Sequence, residues 1–459
     1  MTDTIAAISS AVGEAGIGIV RMSGKYSLNI VDTLFKGKHT DGLKNVSNRK
    51  LTYGHIVDPS DDSIVDEVLV VYMKAPYTYT REDIVEIYCH GGAISVKRIL
   101  ELLLKNGARL AEAGEFTKRA FLNGRLDLSQ AEAVIDLIRA KTDKSYDVSL
   151  NQLEGSLSYK IKEIQDVLLN MIAHIEVSID FPEEDIEEIT YDELKVKANV
   201  VLEDIVKLLE TADRGKILRE GLNTVILGKP NVGKSSLLNA ILRENRAIVT
   251  DVPGTTRDII EEYVNVEGIP LKIVDTAGIR DTEDLVEKIG VDRAKQVVEQ
   301  ADLIIAVFDA SRELSQEDEE IIELVKQRRS IVLLNKTDLP NVYDREKLAK
   351  IIGDKKIINT SIAKGEGIEE LENTIVDMFY SGEVEVKGEV MVTNLRHKDQ
   401  LQKAKKNILD AINGIDMNVP LDCIEVDVKN CWSNLGEISG DTVSEDIIDK
   451  VFKEFCIGK

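Results

Sequence analysis

Gly228-Lys229-Pro230-Asn231-Val232-Gly233-Lys234-Ser235 is a complete phosphate-binding loop set between two apolar runs. Residues 224–227 (TVIL) before it read as a buried strand, and residues 236–242 (SLLNAIL) after it read as the start of a helix. That strand, loop, helix order is what such a loop requires. Glycines let the backbone N–H groups through Val232 and Gly233 turn inward, Lys234 reaches the outer phosphates, and the Ser235 hydroxyl ligates magnesium. Ser236 continues into a helix whose positive dipole end adds to the same anion seat.

Further elements lie outward from this loop in a fixed order. Asp275-Thr276-Ala277-Gly278 follows an apolar strand, placing a carboxylate near magnesium and a glycine N–H where it can sense a terminal phosphate. Between loop and switch, Gly254-Thr255-Thr256-Arg257-Asp258 offers hydroxyls, and Thr256 is expected to complete the magnesium shell with triphosphate bound. Asn335-Lys336-Thr337-Asp338 ends the strand at residues 330–334, where Asp338 can accept both N–H donors on the edge of guanine. Adenine lacks that pair and would leave the carboxylate unpaired. Ser361-Ile362 fits the remaining guanine-facing loop. The expectation is a site for GTP and Mg2+.

One departure bears on hydrolysis. Ile279 follows Gly278 where a Ras-type enzyme carries the glutamine that orients the attacking water. The acidic stretch at residues 280–287 offers several carboxylates that could hold a water or act as base, and the residues themselves leave all of them open. Asn231 presents a side-chain carbonyl beside the phosphates, suited to a monovalent cation doing the work of an arginine finger.

A chain of 459 residues suggests about three domains of ~100–200 residues. Residues 1–118 alternate short apolar runs with turn signals, the pattern of an α+β domain. From about 119 to 220 the pattern is helical, and Leu150, Leu153, Leu157, Ile161, Ile164, Leu168, Met171 and Ile175 predict one long amphipathic helix. Phe181-Pro182 is expected to stop it before an acidic connector and a second helix. Residues 221–380 alternate strands and helices, the signature of a parallel, helix-covered sheet, and residues 381–459 return to helical periodicity. The expected fold is multidomain: an α+β N-terminal domain, an all-α helical domain, and an α/β P-loop GTPase domain inserted into the helical one.

A formal net charge of -24 argues against a broad basic surface for nucleic acid. Local basic spots occur at Lys118, Arg119 and Arg125, and at Arg396, Lys398, Lys403, Lys405 and Lys406, each of which also reads as a solvated helix face. No leader and no apolar run long enough to span a membrane is evident, so a soluble, cytoplasmic protein is expected. Of four cysteines, Cys89, Cys423 and Cys431 read as core. Cys456 reads either as a small buried apolar residue or as a reactive thiol activated by Lys453, Lys459 or a cofactor.

End to end, the chain resembles the MnmE (TrmE) family of tRNA-modification GTPases. Besides the GTPase elements, the resemblance rests on residues 76–80 (PYTYT) with Glu82-Asp83-Ile84-Val85-Glu86, on Cys89-His90-Gly91-Gly92 and on Gly114-Glu115-Phe116-Thr117. It extends through residues 119–127 (RAFLNGRLD), Leu435-Gly436-Glu437-Ile438-Ser439-Gly440 and the tail Phe455-Cys456-Ile457-Gly458-Lys459. The resemblance implies an N-terminal domain that forms a homodimer and binds a tetrahydrofolate one-carbon carrier (5-formyl- or methylene-tetrahydrofolate). Arg21, Glu86, Arg125 and Lys459 would line that site, with Arg125 standing where many relatives have lysine. The family works with the FAD-containing partner MnmG (GidA) on tRNA, installing a carboxymethylaminomethyl (aminomethyl-type) group at the 5-position of the wobble uridine while GTP hydrolysis drives a conformational cycle. The resemblance further implies a K+ site made by Asn231 with the loop Thr250-Asp251-Val252-Pro253-Gly254, in which Thr250, Val252 and Thr255 are ligands, formed as two GTPase domains pair. It assigns Glu287 to the attacking water and makes Cys456 necessary for modification. The competing expectation is a ribosome-assembly or RNA-binding GTPase switch with no nucleoside chemistry. Such proteins usually append an RNA-binding module after the GTPase domain, and no such module is evident in this sequence.

Overall fold

The computed structural model describes residues 3–11, 13–38, 40, 42–180, 190–244, 262–274, 298–299, 301–342, 345–379 and 389–459. They form two compact units, one of Met1–Ile135, Ile161–Gln165 and Trp432–Lys459, the other of Asp136–Lys160 and Asp166–Cys431.

The first unit is built on β1 (Ile5–Ile8), β2 (Gly18–Ser23), α1 (Ser27–Leu34), β3 (Phe35–Gly37), β4 (Thr52–Val57), β5 (Ile64–Met73), β6 (Ile84–Cys89), α2 (Ala93–Lys105) and β7 (Arg109–Leu110), followed by α3 (Glu115–Leu122) and the start of α4 (Leu128–Arg139). The strands make one sheet in the order β3-β4-β5-β6-β2-β1-β7, antiparallel except where β1 meets β7. Because side chains alternate along a strand, Val20, Met22, Val68, Val70, Val85 and Ile87 share one face and pack against Ile30, Val31 and Leu34 of α1 and Val96, Ile99 and Leu103 of α2. The same alternation sends Arg21 and Glu86, directly opposed in the β2–β6 register, to the other face.

Arg119, expected as a surface cation, is only 1% exposed. Its guanidinium meets Asp3 at 2.9 Å, Glu82 at 3.0 Å and Glu115 at 2.9 Å, while Arg109 meets Glu115 at 2.5 Å and Asp3 at 2.8 Å. A cation between three carboxylates exchanges water for ion pairs, and the cluster ties α3 to the sheet. Burial pushes the Glu115 carboxyl up, but hydrogen bonds from Arg109, the Glu112 N–H and Arg119 outweigh it and hold the group below the usual carboxylate range.

The second unit takes in the end of α4, then α5 (Asp143–Leu153), most of α6 (Ser156–Asp180), α7 (Tyr191–Glu220), β8 (Leu222–Leu227), α8 (Lys234–Glu244), β9 (Glu262–Val266), β10 (Ile269–Ile273), β11 (Leu303–Asp309), α9 (Gln316–Lys326), β12 (Ser330–Asn335), α10 (Arg345–Ile352), β13 (Lys356–Asn359), α11 (Ile368–Phe379), α12 (Leu395–Asp416) and the first part of α13 (Leu421–Ser439). The last part of α13 and α14 (Glu445–Lys453) belong to the first unit. The single long helix expected from residue 150 onward is two. Gly155, at φ 97°, is left-handed and ends α5, and the buried stripe Leu157, Ile161, Ile164, Leu168, Met171 and Ile175 belongs to α6 alone. Apolar spacing continues across the turn, so periodicity did not reveal the break.

The second sheet has the order β13-β12-β11-β8-β10-β9. It is parallel except for the β9–β10 hairpin, an antiparallel edge that the alternating pattern did not predict. β11 and β12 are buried along their whole length, as strands covered on both faces must be. From β8 the chain builds one side of the sheet and then returns to build the other. The carboxyl end of β8 therefore lies at a reversal of strand order, where such sheets bind ligands. The hairpin turn is held by Thr142, whose hydroxyl donates to the Gly268 carbonyl at 2.9 Å and accepts from the Ser145 N–H at 3.1 Å, capping α5 as it does so.

Replacing Arg119 with methionine leaves Glu82 without its cation and Asp3 and Glu115 with Arg109 alone, and unit one is expected to lose about 3–5 kcal/mol. Urea unfolding followed by hydrogen exchange in β1, β2 and β6 measures it; a loss below ~1 kcal/mol would show the carboxylates to be satisfied without the arginine. Since the folded Glu115 carboxyl sits below its ordinary value, its contribution is complete above the unfolded value and is lost as pH falls through the folded one.

Candidate functional site

The loop between β8 and α8 has the conformation its glycines permit. Gly228 and Gly233 lie at φ 153° and 110°, and a Cβ on Gly228 would overlap the Val307 carbonyl while one on Gly233 would overlap the Asn335 amide. Asn231, also left-handed at φ 64°, is exposed on the crest, and Val232 is buried beneath it. Lys234 opens α8 and donates to the Gly228 and Lys229 carbonyls, both at 2.7 Å, so that the loop wraps its ammonium. Burial pushes that ammonium's pKa down, a penalty that an arriving phosphate would relieve. Ser235 and Ser236 are exposed on the first turn, where helix N–H groups have no partner within the helix.

Asn335 joins this loop to the ends of β12 and β13. Its Nδ2 donates to the Val232 carbonyl at 2.7 Å, and its Oδ1 accepts from the Ile362 N–H at 3.2 Å and the Thr360 hydroxyl at 3.3 Å. Thr337 donates both its N–H and its hydroxyl to the Thr360 carbonyl, at 3.2 Å and 3.0 Å. Ser361 donates to Asp338 Oδ1 at 2.9 Å, fixing the carboxylate expected to read the base. The structure thus brings Asn231, Val232, Gly233, Lys234, Ser235 and Ser236 together with Asn335, Lys336, Thr337, Asp338, Ser361 and Ile362. Thr250, Asp251, Val252, Pro253, Gly254, Thr255, Thr256, Asp275, Thr276, Ala277, Gly278 and Glu287 lie outside the described residues.

A second cluster forms in the first unit. Arg21 Nε meets Glu86 Oε1 at 2.7 Å, Tyr88 donates to Glu86 Oε2 at 2.7 Å, and the Arg21 guanidinium lies 5.8 Å from the centre of the Phe116 ring. Arg125 stacks 4.6 Å over the Tyr79 ring and donates to the Tyr79 carbonyl at 3.1 Å, while the Tyr79 hydroxyl meets that of Thr117 at 2.9 Å. The C-terminal tail completes the cluster. Gly114 N–H donates to the Cys456 carbonyl at 3.3 Å, Ser9 to that of Gly458 at 3.1 Å, and Phe116 N–H to a Lys459 oxygen at 3.1 Å. Burial and the nearby Arg21 charge push the Lys459 ammonium down, with Cys456 and Glu86 opposing. Burial and Glu86 push the Tyr88 hydroxyl up to about 12. Arg21, Glu86, Arg125 and Lys459 are thus brought to one cluster. Tyr79, Tyr88, Phe116 and Thr117 were missed. Only Tyr88 carried a signal, since a residue two beyond Glu86 on a strand shares its face.

The cysteines divide differently from expectation. Cys89 and Cys431 are buried, and burial pushes the Cys431 thiol up to about 12. Cys423, expected in a core, is exposed: the buried stripe of α13 runs through Ile424 and Val428, and one residue before Ile424 is turned by about 100°. Cys456 is exposed, which removes the reading of it as a buried apolar residue. Among the described residues no helix is long and apolar enough to cross a membrane.

A phosphate loop tied to guanine-facing loops, carried on one chain with a helical domain and an α+β N-terminal domain, defines a multidomain P-loop GTPase. Residues 4–125 match the family model described as "GTP-binding protein TrmE N-terminus", and residues 128–456 match the "MnmE helical domain". The chain is 60% identical over 460 residues to a "tRNA modification GTPase MnmE" of Alkaliphilus metalliredigens, covering 100% of both chains. It is 59% identical to the protein of that name from Clostridioides difficile (100% of this chain, 99% of the relative) and 53% identical to that from Bacillus subtilis (100% of both). The chain belongs to the MnmE (TrmE) family of tRNA modification GTPases. Over 34% of its length it also matches the G domain of the T. maritima FeoB iron transporter, at 26% identity, 97% coverage of that chain and a TM-score of 0.26.

Gly458 lies at φ 95°, and a Cβ there would overlap the Ile8 carbonyl. A Gly458→Ala chain is therefore expected to undock its tail, seen as faster hydrogen exchange at Gly114 and Phe116; unchanged protection would show that the tail tolerates the side chain.

Proposed function

We propose that the chain is the GTP-hydrolysing subunit of a tRNA wobble-uridine modification complex, adding a carboxymethylaminomethyl-type group at the 5-position. The observation that carries this is Asn335, which links the phosphate loop to the guanine-facing loops in a chain whose full-length relatives are named tRNA modification GTPases. In this reading Lys234 neutralises the outer phosphates, Asp338 accepts the guanine N–H groups, and Ser235 with Thr256 holds Mg2+. Asn231, Thr250, Val252 and Thr255 hold K+, whose charge substitutes for an arginine finger as two GTPase domains pair. Glu287 orients the attacking water in place of the missing glutamine. The domain limits are those of the sequence, at about residues 118, 220 and 380.

The Arg21–Glu86–Arg125–Lys459 cluster is read as the site of a tetrahydrofolate one-carbon carrier. Three cations suit carboxylates, Glu86 suits an amino-pterin edge, and the rings of Tyr79 and Phe116 suit an aromatic ligand. That group would supply the one-carbon unit, while these residues bind and orient it. Exposed Cys456, three residues before Lys459, is the nearest thiol in sequence and is read as acting in the modification itself. The partners are a second copy, tRNA and the FAD-dependent MnmG. A ribosome-assembly switch is not favoured by relatives that match over the full chain.

Nucleoside mass spectrometry of tRNA from a deletion strain tests the proposal: the 5-substituted wobble uridine should disappear and return with the wild-type gene, and unchanged uridines would reject it. GTP hydrolysis should be at least ~10-fold faster in K+ than in Na+ at equal ionic strength, and equal rates would remove the cation site. A Glu287→Ala chain should bind GTP normally and lose hydrolysis by ~100-fold or more; lost binding would make the residue structural.

A further inference from the structure

The geometry points to Asp309, at the carboxyl end of β11, as a positioning residue that docks the Lys336 ammonium and so holds the lysine's stem across the guanine site. This rests on the guanine-nucleotide reading above and concerns a residue outside every motif that supports it. Lys336 lies at φ 64°, a left-handed conformation that a residue with a side chain keeps only when its surroundings impose it. On either side, Asn335 is tied to the phosphate loop and Asp338 is fixed by Ser361. The Lys336 ammonium donates to Asp309 Oδ2, at 2.6 Å. Its four-carbon stem therefore spans from the base-reading loop to the strand whose Val307 carbonyl abuts Gly228.

Asp309 is built for this task. Its side chain is 5% exposed, and its other oxygen accepts from the Ser311 hydroxyl at 2.6 Å and the Ser311 N–H at 3.0 Å. Those bonds set the carboxylate's orientation independently of the lysine. Of the phosphate-loop cations, Lys229 is engaged by Asp318 at 2.7 Å and Ser315 at 2.8 Å, and Lys234 donates to the Gly228 and Lys229 carbonyls. Arg312 reaches Asp309 only at 3.5 Å and is largely exposed. A nearly dry carboxylate with a single close cation fixes that cation's position, and it does so before any nucleotide arrives.

Dissociation of fluorescent mant-GDP from the full chain, measured by stopped flow, tests this with Asp309→Asn, Lys336→Met and the double variant. Asp309→Asn should release the nucleotide about 10-fold faster, as expected for loss of a charge-assisted hydrogen bond. The double variant should release it no faster than Lys336→Met alone, because the aspartate acts only through the lysine. An Asp309→Asn rate within about twofold of wild type, or effects that add in full, would overturn the proposal. Should the asparagine chain not fold, as judged by thermal unfolding, Asp309→Ser is read by the same criteria. A wild-type chain that holds mant-ADP as tightly as mant-GDP would instead reject the guanine reading, and the proposal with it.

Discussion

The nucleotide site depends on the side chain of one buried asparagine. Asn335 uses both ends of its amide: the nitrogen on the Val232 carbonyl, the oxygen on the Ile362 N–H and the Thr360 hydroxyl. Three loops from three parallel strands are thereby set in one geometry before a ligand contributes anything. An unpaired buried polar group costs about 1–3 kcal/mol, so no one of these loops can move without exposing the others to that penalty. Gly233 is part of the same constraint, since the space of its missing side chain is taken by the Asn335 amide.

The same logic governs the N-terminal unit with different chemistry. There the constraint is electrostatic: Arg119 among Asp3, Glu82 and Glu115 locks α3 against the sheet, and α3 carries Phe116 and Thr117 to the cluster of Arg21, Glu86 and Arg125. The tail then lies across the start of α3 through main-chain bonds, so Lys459 is placed by backbone geometry and its charge is brought next to Arg21. The local structure thus links a buried ion-pair cluster to a half-buried one.

Legibility in the sequence followed the range of the interactions. The phosphate loop and the Asn335-to-Asp338 element are contiguous, so their chemistry could be read directly, and strands such as β8, β11 and β12 were visible as apolar runs. Arg21 and Glu86 are 65 positions apart and meet only through the β2–β6 register, so they were reachable through family resemblance alone. Arg119 looked like a surface cation because its carboxylates come from three separate segments. The break at Gly155 was hidden by apolar spacing that continues through it, and Cys423 was misplaced by one helical step. Asp309 belongs to no motif, and its partner was visible only once β11 and β12 were side by side.

Guanine reading by the Asp338 carboxylate, which Ser361 holds, is tested by exchanging the hydrogen-bond sense of that carboxylate. In an Asp338→Asn chain the amide can donate to the 2-carbonyl of xanthine but can no longer accept both guanine N–H groups. Equilibrium binding to this variant is expected to reverse, with GTP weakened ~100-fold or more and xanthosine triphosphate bound in preference. Retention of wild-type GTP affinity, with no gain for the xanthosine nucleotide, would contradict it.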